Sequence, residues 1–245
     1  MLKGKRGVIF GIANDHSIAW GISKKLSEHG AELALTYQND TLLKRIKPLS
    51  KEINSKLLIE CDFSQSNSIK KCFDDLNQKW DNIDFVIHAA AFSNKNELNG
   101  RYIDTSLSNF INTLNISCYS FTEISKLASS MMNNGGSLLT LSFYGANKVM
   151  PNYNVMGVAK AALEMSVKYL SVDLGKNNIR VNAISAGPMR TIAGAAIAKA
   201  REVYKYTEKN SPLHRNVRLD ELGNTALYFV SDLSKAVSGE IHYVD

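Results

Sequence analysis

A tyrosine and a lysine stand seven residues apart in Pro151-Asn152-Tyr153-Asn154-Val155-Met156-Gly157-Val158-Ala159-Lys160. The stretch reads as the start of a helix over 153–175. Seven residues make almost two turns, so both side chains would share a face, with Cα atoms roughly 10 Å apart along the axis. A phenol held near an ammonium can offer a hydrogen bond or a proton to an oxygen that gains charge. The cation can hold a polyol such as a ribose and lower the cost of phenolate character. Taken alone, such a pair is more often an exposed lysine and a half-buried core tyrosine. The rest of the chain weighs against that here.

The elements that must position the pair are short apolar runs alternating with longer helical patterns. Strands are expected at 7–11, 32–37, 57–62, 85–89, 137–142, 180–185 and 240–244. Helices are expected near 17–29, 40–54, 66–80, 106–132, 153–175 and 220–231. Continuous apolar strands separated by helices imply an α/β fold. They form a single doubly wound Rossmann-type domain, a seven-stranded parallel sheet with helices on both faces. Such sheets take ligands beyond the carboxyl ends of their strands, where strand order reverses.

With 245 residues and 44% hydrophobic content the chain can bury one large core. No apolar run reaches the eighteen or so residues of a membrane span. The first strand begins near Arg6, so neither a signal nor a transit peptide is expected. Cys61, Cys72 and Cys118 are odd in number and widely spaced, which fits buried thiols in a reducing cytoplasm and no metal site. The net charge of +6 comes without a dense basic run. Nucleic acid is therefore not expected, while an acidic partner is compatible.

Candidate binding motifs fall at strand ends. After the first strand comes Gly11-Ile12-Ala13-Asn14-Asp15-His16-Ser17-Ile18-Ala19. Gly11 permits a tight turn, Ser17 can cap the next helix, and the Ile18 and Ala19 amides would face a pyrophosphate. An ordinary strand-to-helix turn is an equal alternative. Strand two ends in Tyr37-Gln38-Asn39-Asp40, where neutral Gln38 suits ribose hydroxyls and favours NADH over NADPH, although Lys44 and Arg45 lie close. At the next end Asp62 can accept from an adenine amino group and Phe63 can flank the ring. A turn-capping Asp62 is nearly as plausible. Small residues at Ala89-Ala90-Ala91 suit a close backbone approach. After strand six, Gly187-Pro188 forces a turn, and Met189-Arg190-Thr191 can reach the nicotinamide or the phosphates. The segment 192–206 reads as a movable lid over an apolar substrate, with a plain surface helix as the alternative.

Four stretches in order carry a family resemblance: Gly11 with Ser17-Ile18-Ala19, Tyr37 through Asp40, Pro151 through Lys160, and Val181 through Pro188. The chain resembles the short-chain dehydrogenase/reductase superfamily. Within it, the spacing of seven between Tyr153 and Lys160 is similar to the bacterial NADH-dependent enoyl-acyl carrier protein reductases. Most superfamily members space the pair by four, where Met156 stands here. The resemblance implies reduction of trans-2-enoyl thioesters on acyl carrier protein in type II fatty acid synthesis. Tyr153 would stabilise the enolate and Lys160 would hold the nicotinamide ribose. Implied cofactor contacts are Gly11, Ser17, Ile18, Gln38, Asp62, Phe63, Ala90, Lys160, Met189, Arg190, Thr191, Ile192 and Ala193. Implied substrate contacts are Ser93, Met156 and Ile197. A cytoplasmic homotetramer is implied, with a lid near 190–209 whose Lys199, Arg201, Lys205 and Lys209 would meet the acidic carrier. No metal, membrane or nucleic-acid partner is implied.

Three departures stand out. A second tyrosine, usual ten residues before the first, is Phe143 here, with Tyr144 beside it. Neighbouring side chains at a strand end diverge, so Tyr144 is not expected to substitute. Ala90 replaces a larger aliphatic residue beside the nicotinamide. The family continues beyond the position of Asp245 with a Gly-rich tail that helps pack subunits. Asn115 matches a relay asparagine of some superfamily members, with capping or a core role as the alternative. Two further readings stay open: a short-chain carbonyl reductase, and a non-catalytic NAD-binding protein suggested by Phe143.

Overall fold

The structure, a computed structural model, describes residues 1–195 and 200–245. The chain order is β1 (Arg6–Phe10), α1 (Ile18–Glu28), β2 (Glu32–Tyr37), α2 (Asp40–Glu52), β3 (Leu57–Glu60), α3 (Ser68–Asn77) and β4 (Phe85–His88). The short α4 (Lys95–Leu98), α5 (Leu107–Leu114) and α6 (Ser120–Ser129) lead to β5 (Gly136–Ser142), followed by α7 (Asn154–Gly175) and β6 (Ile179–Ala186). Two helices, α8 (Ile192–Ala195) and α9 (Ala200–Asn210), precede α10 (Leu219–Val230) and β7 (Ile241–Val244).

All seven strands pair in parallel, in the order β3-β2-β1-β4-β5-β6-β7. Strand order therefore reverses between β1 and β4, and the crevice beyond their carboxyl ends is the position the fold reserves for a ligand. Alternation along β1 shows why both faces need cover. Val8 and Phe10 join one core with Phe73, Phe121 and Val181, while Ile9 joins the other with Ile22, Leu35 and Phe229. Each such side chain contributes about 1.5–3 kcal/mol on leaving water, so the seven-stranded sheet is stable only when sandwiched.

The expected strands and helices are present, with ends moved by up to three residues. The long helix expected over 106–132 is the exception. It divides into α5, a π-helical turn over Asn115–Tyr119, and α6. Ser117 accepts from the Phe92 amide at 3.0 Å and donates to the Phe92 carbonyl at 3.1 Å. The widened turn thus fastens this helix to the loop after β4, at the rim of the crevice.

Candidate active site

A cleft of about 1180 Å³ opens beyond the carboxyl ends of the central strands. Gly11 and Ile18 line one side, Gln38, Asp62 and Phe63 the far end, Ala90 and Ser93 the floor, and Tyr153, Met156 and Lys160 the other side. Met189, Thr191 and Ile192 line it from the segment after β6.

The turn after β1 depends on its glycine. Gly11 has φ +99°, and a Cβ there would lie 2.3 Å from the Ala89 carbonyl oxygen. Backbone from β1 and β4 meets at this point with no room for a side chain. Ser17 occupies the N-cap position of α1, as expected, but its hydroxyl makes no capping bond to the helix. Its hydroxyl accepts from the Ala13 and Asn14 amides at 3.0 and 3.1 Å and donates to Asn14 Oδ1 at 3.2 Å. Ser17 is buried behind the turn and shapes it, and it is not among the residues that line the cleft. The first amides of α1, at Ile18 and Ala19, have no partner within the helix, as at any helix start.

At the far end, Gln38 Nε2 donates to Asp62 Oδ1 at 3.1 Å. The same oxygen accepts from the Ser64 amide and hydroxyl at 2.9 and 2.8 Å, so Asp62 also stabilises its own turn. Phe63 stacks on His88 at 5.8 Å between ring centres. Lys44 and Arg45 are exposed on α2, outside the cleft lining. Beneath the floor, His88 is fully buried between Thr140 Oγ1 (2.8 Å) and Ser120 Oγ (2.9 Å). Burial first, and then the Lys160 charge, lower its pKa to about 3, so it is a neutral strut. Ser93 Oγ accepts from Thr113 Oγ1 at 2.9 Å and from Asn109 Nδ2 at 3.2 Å, and Asn109 Oδ1 accepts from the Asn94 amide at 2.9 Å.

Tyr153 is not inside the helix, as its spacing from Lys160 suggests. It occupies the position just before α7, in a turn where Asn152 (φ 61°) and Asn154 (φ 35°) adopt positive φ. Asparagine tolerates that region better than most residues. The Asn154 side chain also donates, through Nδ2, to the Glu97 carbonyl at 3.1 Å, tying the turn to α4. Tyr153 still reaches the cleft, packed with Leu98, Met156 and Ala159. Gly145 leaves space for its ring, since a Cβ there would lie 2.6 Å from Tyr153 Cδ1. Burial, and then the Glu164 charge, push the phenol above its ordinary range, so it is a neutral hydrogen-bond donor.

Lys160 is buried and donates to the Leu141 carbonyl at 2.7 Å, its one hydrogen-bond partner among the described residues. Burial lowers its pKa to about 8, against the opposing pull of Cys118 and Glu164. Phe143 meets the Tyr153 ring edge-on at 5.1 Å, while Tyr144 turns outward against Tyr243 at 6.3 Å. Tyr144 therefore does not replace the missing phenol. Asn115 is exposed at the C-cap of α5, where the π-helical turn begins, and its Nδ2 donates to the Phe63 carbonyl at 3.4 Å, which is the capping position and not a core one.

Met189, Thr191 and Ile192 face the cleft, and Thr191 Oγ1 accepts from the Gly194 amide at 2.9 Å. Arg190 does not join them. It is exposed, with its guanidinium 5.1 Å from the centre of the Tyr204 ring. The Ala193 side chain, Ile197 and Lys199 lie outside the described residues.

Sequence reasoning missed the polar supports: Asn109 under Ser93, and Ser142, Glu164 and Asn147 behind Lys160. The placement of Glu164 four residues after Lys160 was the available signal. The arrangement suits a dinucleotide. A backbone-only approach at Gly11, hydrogen-bonding groups at Gln38 and Asp62, and a buried ammonium with spare donors follow one another along a single cleft.

Residues 11–245 match the sequence profile of a family described as enoyl-(acyl carrier protein) reductase. The chain is 56% identical over its full length to enoyl-[acyl-carrier-protein] reductase [NADH] 2 of Rhizobium meliloti strain 1021, covering 91% of that protein. A crystal structure of FabI from Candidatus Liberibacter asiaticus superposes with TM-score 0.97 at 52% identity, over 100% of this chain and 95% of that one. The Anaplasma phagocytophilum enoyl-acyl carrier protein reductase in complex with NAD gives TM-score 0.95 at 54% identity, over 100% and 91% of the two chains.

Proposed function

Because the chain belongs to the enoyl-(acyl carrier protein) reductase family, we propose that it uses NADH to reduce trans-2-enoyl thioesters on acyl carrier protein, the closing step of each elongation cycle in fatty acid synthesis. The observation that carries this reading is one cleft holding a neutral buried phenol at Tyr153 and a buried ammonium at Lys160, with an apolar wall at Met156.

Bound NADH would supply the hydride that adds to the β-carbon of the enoyl group. Tyr153 donates a hydrogen bond to the thioester oxygen as negative charge gathers there, and its raised pKa keeps that proton in place at neutral pH. Lys160 holds ribose hydroxyls through the N–H groups not given to Leu141. Gly11, Ile18, Gln38, Asp62, Phe63, Ala90, Met189, Thr191 and Ile192 frame the dinucleotide. Ser93 and Met156 frame the acyl end. Gln38 on the cleft, with Lys44 and Arg45 outside its lining, supports NADH over NADPH.

The carrier docks on α9, where exposed Arg201, Lys205 and Lys209 recur every four residues and share a face. Segment 190–209 acts as the lid of a single reductase domain. Exposed Met165, Tyr169 and Val172 on α7 form an apolar face suited to a second copy, consistent with a homotetramer. Three buried free thiols suit a reducing cytoplasm. No helix among the described residues is long and apolar enough to cross a membrane.

Mixing the protein with NADH and crotonyl thioester while following NADH absorbance tests the reading. Turnover is expected, and Tyr153→Phe should lower kcat by on the order of 10²–10³-fold, as loss of an oxyanion donor does elsewhere. Oxidation of NADH by ketones but not by the thioester would overturn it.

A further inference from the structure

Lys160 is a buried cation, and a buried cation needs an anion or a dense set of acceptors to remain charged. Its surroundings supply few. The groups around it from each packed element are Glu164 on α7, Tyr153 in the turn just before that helix, Cys118 in the π-helical turn, and His88 on β4. Burial pushes the Cys118 thiol up and leaves it protonated, Tyr153 is likewise a neutral phenol, and His88 is neutral. Glu164 is the remaining candidate anion among the described residues.

Its placement is fixed from two sides. Glu164 lies one helical turn beyond Lys160, roughly 6 Å along the axis. Ser142 donates to Oε1 at 2.6 Å and Asn147 Nδ2 donates to Oε2 at 3.0 Å. Asn147 Nδ2 also donates to the Tyr243 hydroxyl at 2.8 Å. Both carboxyl oxygens act as acceptors, which is the pattern of the ionised form. Ser142 immediately follows Leu141, whose carbonyl receives Lys160. Consecutive residues of β5 therefore fasten the cation and the carboxylate of α7. We propose that Glu164 is a positioning residue for the reduction, a carboxylate pinned by Ser142 and Asn147 that keeps the Lys160 ammonium charged and seated on the Leu141 carbonyl. The inference rests on Lys160 holding the cofactor ribose.

Glu164→Gln tests it with little change in shape. Its amide oxygen can still accept from Ser142, and reversal of the Asn147 amide restores the second contact. With the anion gone, Lys160 loses its proton at lower pH. The alkaline limb of kcat/KM, and of NADH affinity measured by fluorescence titration, should move down by on the order of one pH unit. Asn147→Ala disturbs the same network but keeps the carboxylate, so it should lower Tm and leave the limb in place. Should Glu164→Gln not fold, Glu164→Met takes its place with the same limb shift expected. A limb unmoved without the carboxylate, or moved equally by Asn147→Ala, overturns the proposal. Lys160→Met separates the two layers. Wild-type turnover and NADH affinity in that variant would overturn the role of Lys160 itself. Loss of both, with the Glu164 limb unmoved, would overturn only the part assigned to Glu164.

Discussion

Phe143 closes edge-on against Tyr153, so where a second phenol could stand beside this ring there is only an apolar one. That contact shields one edge of the ring from water and adds to the burial that keeps the phenol protonated. His88, below the floor, makes a separate prediction. Its pKa in the fold is about 3, below the ordinary histidine value. Across the interval between, the unfolded chain binds more protons than the native one, so stability falls as pH drops from about 6.5 toward 3, by up to about 1.4 kcal/mol per pH unit. Thermal melts across this range should show the decline, and His88→Gln should flatten it. The candidate site residues that line the cleft were legible from the sequence because their types carry the chemistry: Tyr153, Lys160, Gln38 and Asp62. Their supports were not. A serine such as Ser142 or an asparagine such as Asn109 has many uses, and only the fold shows which partner it meets.

Elements turn these residues toward one another. Gly11 ends β1 where a Cβ would strike the Ala89 carbonyl, at a φ of +99° that side chains resist. Gly11→Ala should cost about 1–3 kcal/mol in backbone strain alone and displace the turn that faces the dinucleotide. Melting and NADH titration should both register the loss. The exposed basic face of α9 is tested by Arg201→Glu, Lys205→Glu and Lys209→Glu together. We expect KM for carrier-borne substrate to rise at low salt, while KM for a short free thioester stays level. Strands and most helices were readable because apolar runs and 3.6-residue patterns report burial directly. The break between α5 and α6 was not, since Ser117 leaves helical register to bond Phe92, a partner distant in sequence. The start of α7 moved by one residue, with Asn152 and Asn154 bending the chain around Tyr153 where the composition looks helical.

At the scale of the whole molecule, the outer face of α7 exposes Tyr169 (72%) and Val172 (79%), while the opposite face packs through Leu163 and Val167. A second copy covering this face should show in light scattering as a mass several times that of one chain. Tyr169→Glu with Val172→Glu should return the protein toward monomer. The reversal of strand order between β1 and β4 has a consequence for synthesis. The cleft takes its turn from residue 11, its cation from residue 160 and part of its wall from residues after 188, so no contiguous half of the chain contains it. A nascent chain still holding β6 in the ribosome presents only an unfinished pocket. Cofactor capture is thus postponed until translation is nearly done, and NADH becomes a late fastener of a finished sheet rather than a template for building one.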